Sequence, residues 1–204
     1  DLIDKNFVGD LYSVRSEVGQ YLPSWRQTDY RKTVSAQKIL GGGVLLELSH
    51  ELDYLRWIFG EVESVQAQLS RQSKLDIDVE DTAHIILKFK ENKNNTNLMA
   101  SLNLDFIRHD TVRMCHAIGD KGSLRWNGLT GDVDLFESEK SEWKNIYKYE
   151  ADQDESYKNE WLHFIECINK ENIPNISFQD GMKVLDIIDS IKIASSTGTR
   201  VMIK

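Results

Sequence analysis

The sequence predicts an α+β fold: a large, mostly antiparallel open sheet with helices packed on one face. Several segments in the middle of the chain alternate apolar and polar residues with no helical segment between them, which is typical of antiparallel strands. Segments with helical period lie on either side, near residues 44–59 and 154–198. No linker or internal repeat divides the 204 residues, so we expect residues 1–204 to form a single domain.

The composition argues against several classes of protein. A net charge of −8 disfavours nucleic acid as a partner, because a phosphate backbone repels an acidic chain. No apolar run approaches the roughly 20 residues that a membrane-spanning helix needs, so no membrane partner is expected. The only cysteines, Cys115 and Cys167, lie far apart without metal-ligand spacing. We interpret them as free thiols of the core, which suits a cytoplasmic protein.

The chain begins with what looks like the end of a helix, residues 1–6, followed by a turn at residues 8–10. It has no initiator methionine, so we expect a fragment or a trimmed chain. Residues 11–21 alternate and predict the first strand. Four residues are expected on one face of that strand: Tyr12, Val14, Ser16 and Val18.

An irregular loop follows Pro23 and holds Trp25, Arg26, Tyr30 and Arg31. Aromatic rings stack on sugar or base faces, and guanidinium groups pair with carboxylates or phosphates. The loop is therefore either a substrate-binding loop or a surface loop that Trp25 anchors by packing. The residues themselves leave both interpretations open.

The central feature is a predicted helix that begins after three glycines, residues 41–43, and ends at Gly60. Its apolar stripe has spacings of three and four residues and consists of Leu45, Leu48, Leu52, Leu55 and Phe59. His50 falls almost opposite this stripe. We expect both faces to be covered, because the side of His50 also carries Leu46, Glu47, Asp53, Tyr54 and Trp57.

His50 and Asp53 are three residues apart and can touch on a helix. A carboxylate next to an imidazole fixes the tautomer and can serve proton transfer. The alternative is a histidine that a carboxylate satisfies within a packed interface. A metal site of Glu47, His50 and Asp53 is disfavoured because no second cluster supplies the remaining ligands.

After this helix the alternating segments continue. Four of them are marked by the apolar positions 65–69, 83–89, 98–106 and 112–118, with weaker strands at 123–127, 133–136 and 143–149. The polar stretch 91–96 predicts a hairpin turn. In the fourth segment we expect Val112, Met114, His116 and Ile118 on the core face. The opposite sheet face, with Ser101, Asn103, Asp105, Arg113 and Cys115, is expected to meet a partner subunit.

The last third of the chain predicts two helices and a final strand. The first lies near residues 154–170, with an apolar stripe that includes Trp161, Phe164 and Ile168. The second begins at a capping box formed by Ser177 and Asp180 and ends at Gly198. Residues 200–204 are predicted to form the last strand.

The stretch GGGVLLELSHELDYLRWIFG, residues 41–60, resembles the helix that opens the substrate-side half of the glucose–fructose oxidoreductase/inositol dehydrogenase/rhizopine catabolism (Gfo/Idh/MocA) family. The family pattern is roughly G-G-[GA]-x-L-x-D-x-G-x-H-x-x-D. His50 and Asp53 match it. The family aspartate usually lies four residues before the histidine, where this chain has Leu46, and the nearest acid is Glu47. Residues 118–126 and the C-terminal helix and strand also resemble the family.

The resemblance implies a substrate-binding and oligomerisation domain of an NAD- or NADP-dependent oxidoreductase. Hydride would pass between a sugar carbinol and the cofactor, with a proton relayed by His50 and by a lysine outside this chain. Family members of polysaccharide pathways have a similar aromatic and arginine-rich loop, which implies a sugar or nucleotide-sugar substrate. Trp25, Arg26, Tyr30, Arg31, Glu47 and Asp53 are the expected substrate-binding residues. Homo-oligomers would form through the sheet face.

The sequence contains no G-x-G-x-x-G turn between a strand and a helix, so no Rossmann domain is expected in this chain. The resemblance places cofactor binding mainly in an N-terminal domain, and the 204-residue chain alone is expected to be inactive. The alternative function is non-catalytic: a dimerisation or scaffold domain of the same fold whose active-site helix has degenerated.

Overall fold

One mixed sheet organises the computed structural model, which describes residues 2–93, 95–149 and 154–203. Nine strands in the described residues form this sheet: β1 (Leu11–Gly19), β2 (Val62–Ser70), β3 (Thr82–Phe89), β4 (Met99–Asp105), β5 (Val112–Gly119), β6 (Gly122–Asn127), β7 (Val133–Glu137), β8 (Glu142–Tyr147) and β9 (Val201–Met202). The α-helices are α1 (Val44–Glu47), α2 (His50–Phe59), α3 (Glu155–Lys170) and α4 (Phe178–Thr197).

The strand order is β8-β7-β6-β5-β1-β4-β3-β2-β9. Every neighbouring pair is antiparallel except β1 and β4, which run parallel. β1 and β4 can be parallel because the helices and the β2–β3 hairpin lie between them in sequence, which provides the long connection that parallel neighbours need. The predicted, mostly antiparallel open sheet is confirmed.

Helices α1, α2 and α4 cover one face of the sheet, which we call the inner face. The predicted stripe is confirmed, because Leu45, Leu48, Leu52, Leu55 and Phe59 are all buried. Helix α4 adds its own buried row: Val184, Ile187, Ile188, Ile191 and Ala194. The predicted capping box at Ser177 and Asp180 begins α4, and Gly198 in a left-handed conformation ends it.

The helix predicted over 44–59 is interrupted at Leu48–Ser49. The amides of Ser49, Glu51 and Leu52 donate to carbonyls only three residues back, so the chain tightens between α1 and α2. The side chain of Glu51, in the first turn of α2, is fully buried.

Two predictions about strand faces are wrong. Tyr12 lies on the exposed side of β1, 63% exposed, because the register between β1 and β5 shifts between Leu11 and Ser13. In β5 the faces are reversed: Cys115 and Ala117 are buried, and Met114 and Ile118 lie on the outer face. Cys115 lies opposite the buried Ser16, and directly opposite residues of paired strands share a face.

Helix α3 has an apolar stripe that none of the described residues covers. Trp161, Phe164 and Ile168 are 63%, 53% and 59% exposed, and α3 contains no buried residue. Its amphipathic pattern therefore has no packing partner within the described part of the chain.

Candidate functional site

An open cavity of about 800 Å³ lies between α2 and the inner face of β5–β8. The N-terminal segment, α2 and the sheet line it with mostly apolar and aromatic residues: Leu2, Ile3, Asp4, His50, Tyr54, Trp57, Ile58, Phe59, Arg113, Cys115, Ala117, Leu124, Trp126, Val133 and Tyr147. Among the described residues that line it, His50, Arg113 and Asp4 alone bring a charge or an imidazole. A concave, mainly apolar surface with a few polar groups is the usual form of a binding site.

The N-terminal edge of this cavity is built as the end of a helix. The amide of Asn6 donates to the carbonyl of Ile3, and the amide of Phe7 donates to the carbonyl of Leu2. Asn6 is left-handed, with φ of 58°. This pair of bonds is the Schellman motif of helix C-termini, which agrees with the helix end predicted for residues 1–6.

His50 is the first residue of α2 and lies at the rim of the cavity with half of its side chain exposed. Its Nε2 is 3.3 Å from Oε1 of Glu51, whose side chain is completely buried. Nη2 of Arg113 lies 2.8 Å from the same oxygen. Both contacts are short, but neither has the alignment of a hydrogen bond, and Oε2 of Glu51 also has no aligned donor.

Aromatic rings hold the arginine and the cavity floor in place. The guanidinium of Arg113 lies over the Trp126 ring at 5.2 Å, and the Tyr54 ring meets the same indole edge-on at 5.4 Å. The Tyr54 hydroxyl and the Ser16 hydroxyl are hydrogen-bonded at 2.8 Å. Tyr54 is thus fixed at both ends, to the sheet and to the neighbouring ring.

Two other cavity groups are excluded from proton exchange near neutral pH. Burial raises the pKa of the Tyr54 phenol far above its usual range. Burial also raises the pKa of the Cys115 thiol to about 12. Both groups therefore stay protonated and neutral. His50 carries a half-exposed imidazole, a side chain that often serves as general acid or base, so it is the candidate proton carrier of the cavity.

The acids predicted to surround His50 are placed differently. Glu47 and Asp53 are partly buried, and neither lines the cavity. In the described part of the chain, the carboxylate within ion-pair distance of His50 is Glu51, the adjacent residue. Sequence reasoning missed Glu51. The available signal was a charged residue three positions after Leu48 and four before Leu55, on the apolar stripe.

The aromatic and arginine-rich loop lies apart from this cavity. Trp25 packs edge-on against Phe106 at a ring distance of 5.1 Å. Trp25, Arg26 and Tyr30 line a separate void of only about 10 Å³, which is about the size of one water molecule. Arg31 pairs with Asp29 at 2.9 Å. The packing favours the anchor interpretation for Trp25.

The glycine run does not form a phosphate cradle. The amides of residues 41–43 donate to backbone carbonyls of residues 35–38, and the amide of Val44 donates to the carbonyl of Glu80. The Leu45 amide donates to the Glu80 carboxylate at 3.2 Å. A carboxylate thus occupies the position at the start of α1 where a pyrophosphate would bind. These residues do not fit the pyrophosphate of a dinucleotide.

Within residues 2–93, 95–149 and 154–203, no group of three or more His, Cys, Asp and Glu side chains is arranged to hold a metal ion. No helix in the described part combines the length and apolar character that crossing a membrane requires.

Comparison with solved structures identifies the architecture. Levoglucosan dehydrogenase, in complex with NADH and L-sorbose, superposes on this chain with a TM-score of 0.85 and 18% sequence identity. The superposition covers 100% of this chain and 61% of the levoglucosan dehydrogenase chain. Aldose–aldose oxidoreductase from Caulobacter crescentus, complexed with glycerol, gives a TM-score of 0.82 at 20% identity. That superposition covers 98% of this chain and 58% of the oxidoreductase chain. The WlbA dehydrogenase from Bordetella pertussis, in complex with NADH and UDP-GlcNAcA, gives a TM-score of 0.76 at 21% identity. That superposition covers 100% of this chain and 58% of the WlbA chain.

This chain therefore spans about three fifths of the length of these enzymes, and at such identities the likeness shows the fold. No curated protein sequence matches the chain. A family model described as "Oxidoreductase family, C-terminal alpha/beta domain" matches residues 1–203. Since this match covers nearly the whole chain, the protein belongs to the Gfo/Idh/MocA oxidoreductase family, whose C-terminal alpha/beta domain it contains.

Proposed function

We propose that this chain is the substrate-side domain of an NAD(P)-dependent oxidoreductase that acts on a sugar or nucleotide sugar, with His50 as a proton relay. The observation that carries the proposal is the position of His50. It lies half-exposed at the rim of a large cavity in which burial keeps Tyr54 and Cys115 protonated. The named ligands of structural neighbours, NADH with L-sorbose or UDP-GlcNAcA, support the substrate class.

In this role His50 accepts the proton of a sugar hydroxyl during oxidation and returns it in the reverse direction. The half-exposed imidazole can reach both a substrate above the cavity and bulk water. The apolar lining supplied by Trp57, Ile58 and Trp126 suits the carbon face of a sugar ring. Arg113 lines the same cavity, and its guanidinium suits an anionic substituent.

The cofactor, NAD or NADP, is proposed to bind mainly to an N-terminal domain that this chain does not include. The glycine run donates its amides within the chain and faces the carboxylate of Glu80, so it offers the pyrophosphate no donors. We accordingly expect the 204-residue chain alone to be inactive and the full-length protein to act in the cytoplasm, where its two free thiols stay reduced.

Trp25, Arg26, Tyr30, Arg31, Glu47 and Asp53 remain proposed substrate contacts. Among the arginines, Arg26 is the better candidate: it is exposed, whereas Arg31 is engaged by Asp29. Contacts from this loop would have to be made outside the His50 cavity, because none of these residues lines it.

The second candidate function is a dimerisation or scaffold domain. The outer face of the sheet carries large apolar residues that the described part of the chain leaves exposed: Tyr12, Ile86, Met99 and Trp143. An exposed apolar patch of this kind marks an interaction surface. We propose a homo-oligomer through this face in either function, to be checked by the solution mass of the full-length protein and of an Ile86→Lys variant.

The test of the function uses the full-length protein. Nicotinamide absorbance is followed with a panel of sugars and nucleotide sugars, for the wild type, for His50→Ala, and for the control His84→Ala on the outer face. We expect His50→Ala to lower kcat by roughly two to four orders of magnitude without unfolding the protein. Unchanged turnover in His50→Ala would remove His50 from the chemistry. No turnover and no cofactor binding in the wild type would favour the scaffold.

A further inference from the structure

The buried carboxylate of Glu51 is directly behind His50. Its side chain has no exposed surface, and it lies on α2 one position after the imidazole that it contacts. A carboxylate away from water is costly unless it is paired and hydrogen-bonded. Glu51 has a nearby cation in Arg113, but both of its oxygens lack an aligned donor. The structure therefore contains a buried acceptor next to the proposed proton carrier.

We propose that Glu51 is a positioning residue that orients the His50 imidazole through Nε2 and leaves Nδ1 as the nitrogen that faces the substrate. This inference rests on the proposed relay role of His50. In a neutral imidazole one nitrogen donates and the other accepts. Because Nε2 lies 3.3 Å from the carboxylate, it carries the hydrogen, and Nδ1 has the free lone pair of a general base.

Three other features hold Glu51 in this role. Glu51 lies between Leu48 and Leu55 on the buried stripe, so it points inward while His50 stays at the rim. Arg113 compensates the buried charge from β5, at 2.8 Å. The Trp126 ring, 5.2 Å from the guanidinium, limits where Arg113 can move. The carboxylate is therefore held next to the imidazole.

The experiment uses the full-length enzyme and three sets of variants. Glu51→Gln removes the charge and keeps the shape. The double variant Glu51→Met with Arg113→Met removes both charges, because apolar replacement of a whole buried ion pair is often tolerated whereas loss of one partner is not. Glu63→Gln is the control, since Glu63 pairs with Lys88 away from the cavity.

Two readouts are combined. The first is heteronuclear NMR of isotope-labelled histidine, with the His50 signals assigned by their loss in His50→Gln. We expect neutral His50 in the wild type to show a slowly exchanging Nε2–H proton, and this signal to be lost in the double variant. The second is steady-state kinetics. We expect kcat to fall by about tenfold to a hundredfold in both Glu51 variants, less than for removal of the base itself. We expect KM to change less than about threefold in Glu51→Gln, which keeps Arg113, and Glu63→Gln to resemble the wild type.

The inference is overturned if the wild type shows no protected Nε2–H, if the double variant keeps this signal, or if kcat is unchanged in a folded Glu51 variant. Failure of the proposed function is recognised separately: His50→Ala would retain wild-type turnover, whatever the NMR signal of the wild type shows. If Glu51→Gln does not fold, the double variant decides.

Discussion

Nη2 of Arg56 lies 2.6 Å from Oδ1 of Asp180, which joins α2 to the first turn of α4 across 124 residues. The other end of the same guanidinium donates to Glu61 at 2.7 Å, and only 7% of the arginine side chain is exposed. The planar guanidinium group can donate from its two terminal nitrogens to two different carboxylates at once. Arg56 thus ties the two helices that cover the inner face.

Replacing Arg56 should destabilise the protein. We expect Arg56→Met to lower the free energy of unfolding by about 2 kcal/mol, less than the roughly 3–5 kcal/mol for a fully buried pair, because Asp180 and Glu61 keep other partners. Urea denaturation measures this. The control is Lys183→Met, an exposed partner of Glu61, with an expected change below about 1 kcal/mol. Equal losses in the two variants would contradict a special role of Arg56.

Asp180 should make stability depend on acid pH. The Ser177 hydroxyl and backbone amide, and then Arg56, hold the pKa of its carboxyl below the ordinary value. Since the folded pKa is the lower one, the stabilisation is present above the ordinary value of about 3.9 and is lost as the pH falls below it. We expect the urea concentration at the unfolding midpoint to fall as the pH drops below about 3.9. In Asp180→Asn we expect this midpoint to depend less steeply on pH. If the midpoint changes with pH equally in the wild type and in Asp180→Asn, the Asp180 carboxylate is not the source of the pH dependence.

Gly43 and Gly41 should differ in their tolerance of a side chain. Gly43 has φ of 112°, and an added Cβ would lie 2.3 Å from Oε1 of Glu80. Gly41 has φ of 82° but open space around it. Gly41→Ala should therefore cost only the left-handed backbone strain of about 1–2 kcal/mol. Gly43→Ala should cost more, because φ of 112° with ψ of 150° suits glycine alone and because Glu80 must also move. Thermal unfolding compares the two. Equal unfolding temperatures of the Gly43→Ala and Gly41→Ala variants would contradict the predicted difference between the two positions.

Trp25 should act mainly as an anchor for its loop. Its ring packs edge-on against the fully buried Phe106. We expect Trp25→Ala to lower the free energy of unfolding by about 2–4 kcal/mol and Trp25→Phe by less than about 1.5 kcal/mol. Urea denaturation gives the stability, and KM for the sugar gives the binding. A raised KM with unchanged stability in Trp25→Ala would instead favour direct contact with the substrate.

The two cysteines should differ in reactivity. Burial raises the pKa of the Cys115 thiol to about 12, so almost no thiolate exists near neutral pH. Cys167 is only partly buried on α3. We expect iodoacetamide to modify Cys167 in the native protein and Cys115 only after unfolding, as read by mass spectrometry of peptides. Rapid native labelling of Cys115 would show that the cavity opens wider than the structure indicates.

Local patterns in the sequence were enough for most of the architecture. The stripe from Leu45 to Phe59, the alternation of the central strands and the capping box at Ser177 each depend on neighbours within one or two turns. Such short-range patterns state which side of an element is apolar. They do not indicate which other element that side packs against or which strand pairs with which. For that reason the parallel pairing of β1 with β4 was not predicted.

The sequence by itself determined the elements of this protein, the acidic charge and the family motif around His50. Only the tertiary structure decided which acid serves His50: the buried carboxylate of Glu51 lies next to the imidazole, and pairing with β1 brings Arg113 to the same oxygen. The position of Arg113 depends on backbone hydrogen bonds between β5 and β1, whose residues no periodic pattern relates. The faces of β5 were predicted wrongly for the same reason, because the register of a strand is set by its partner.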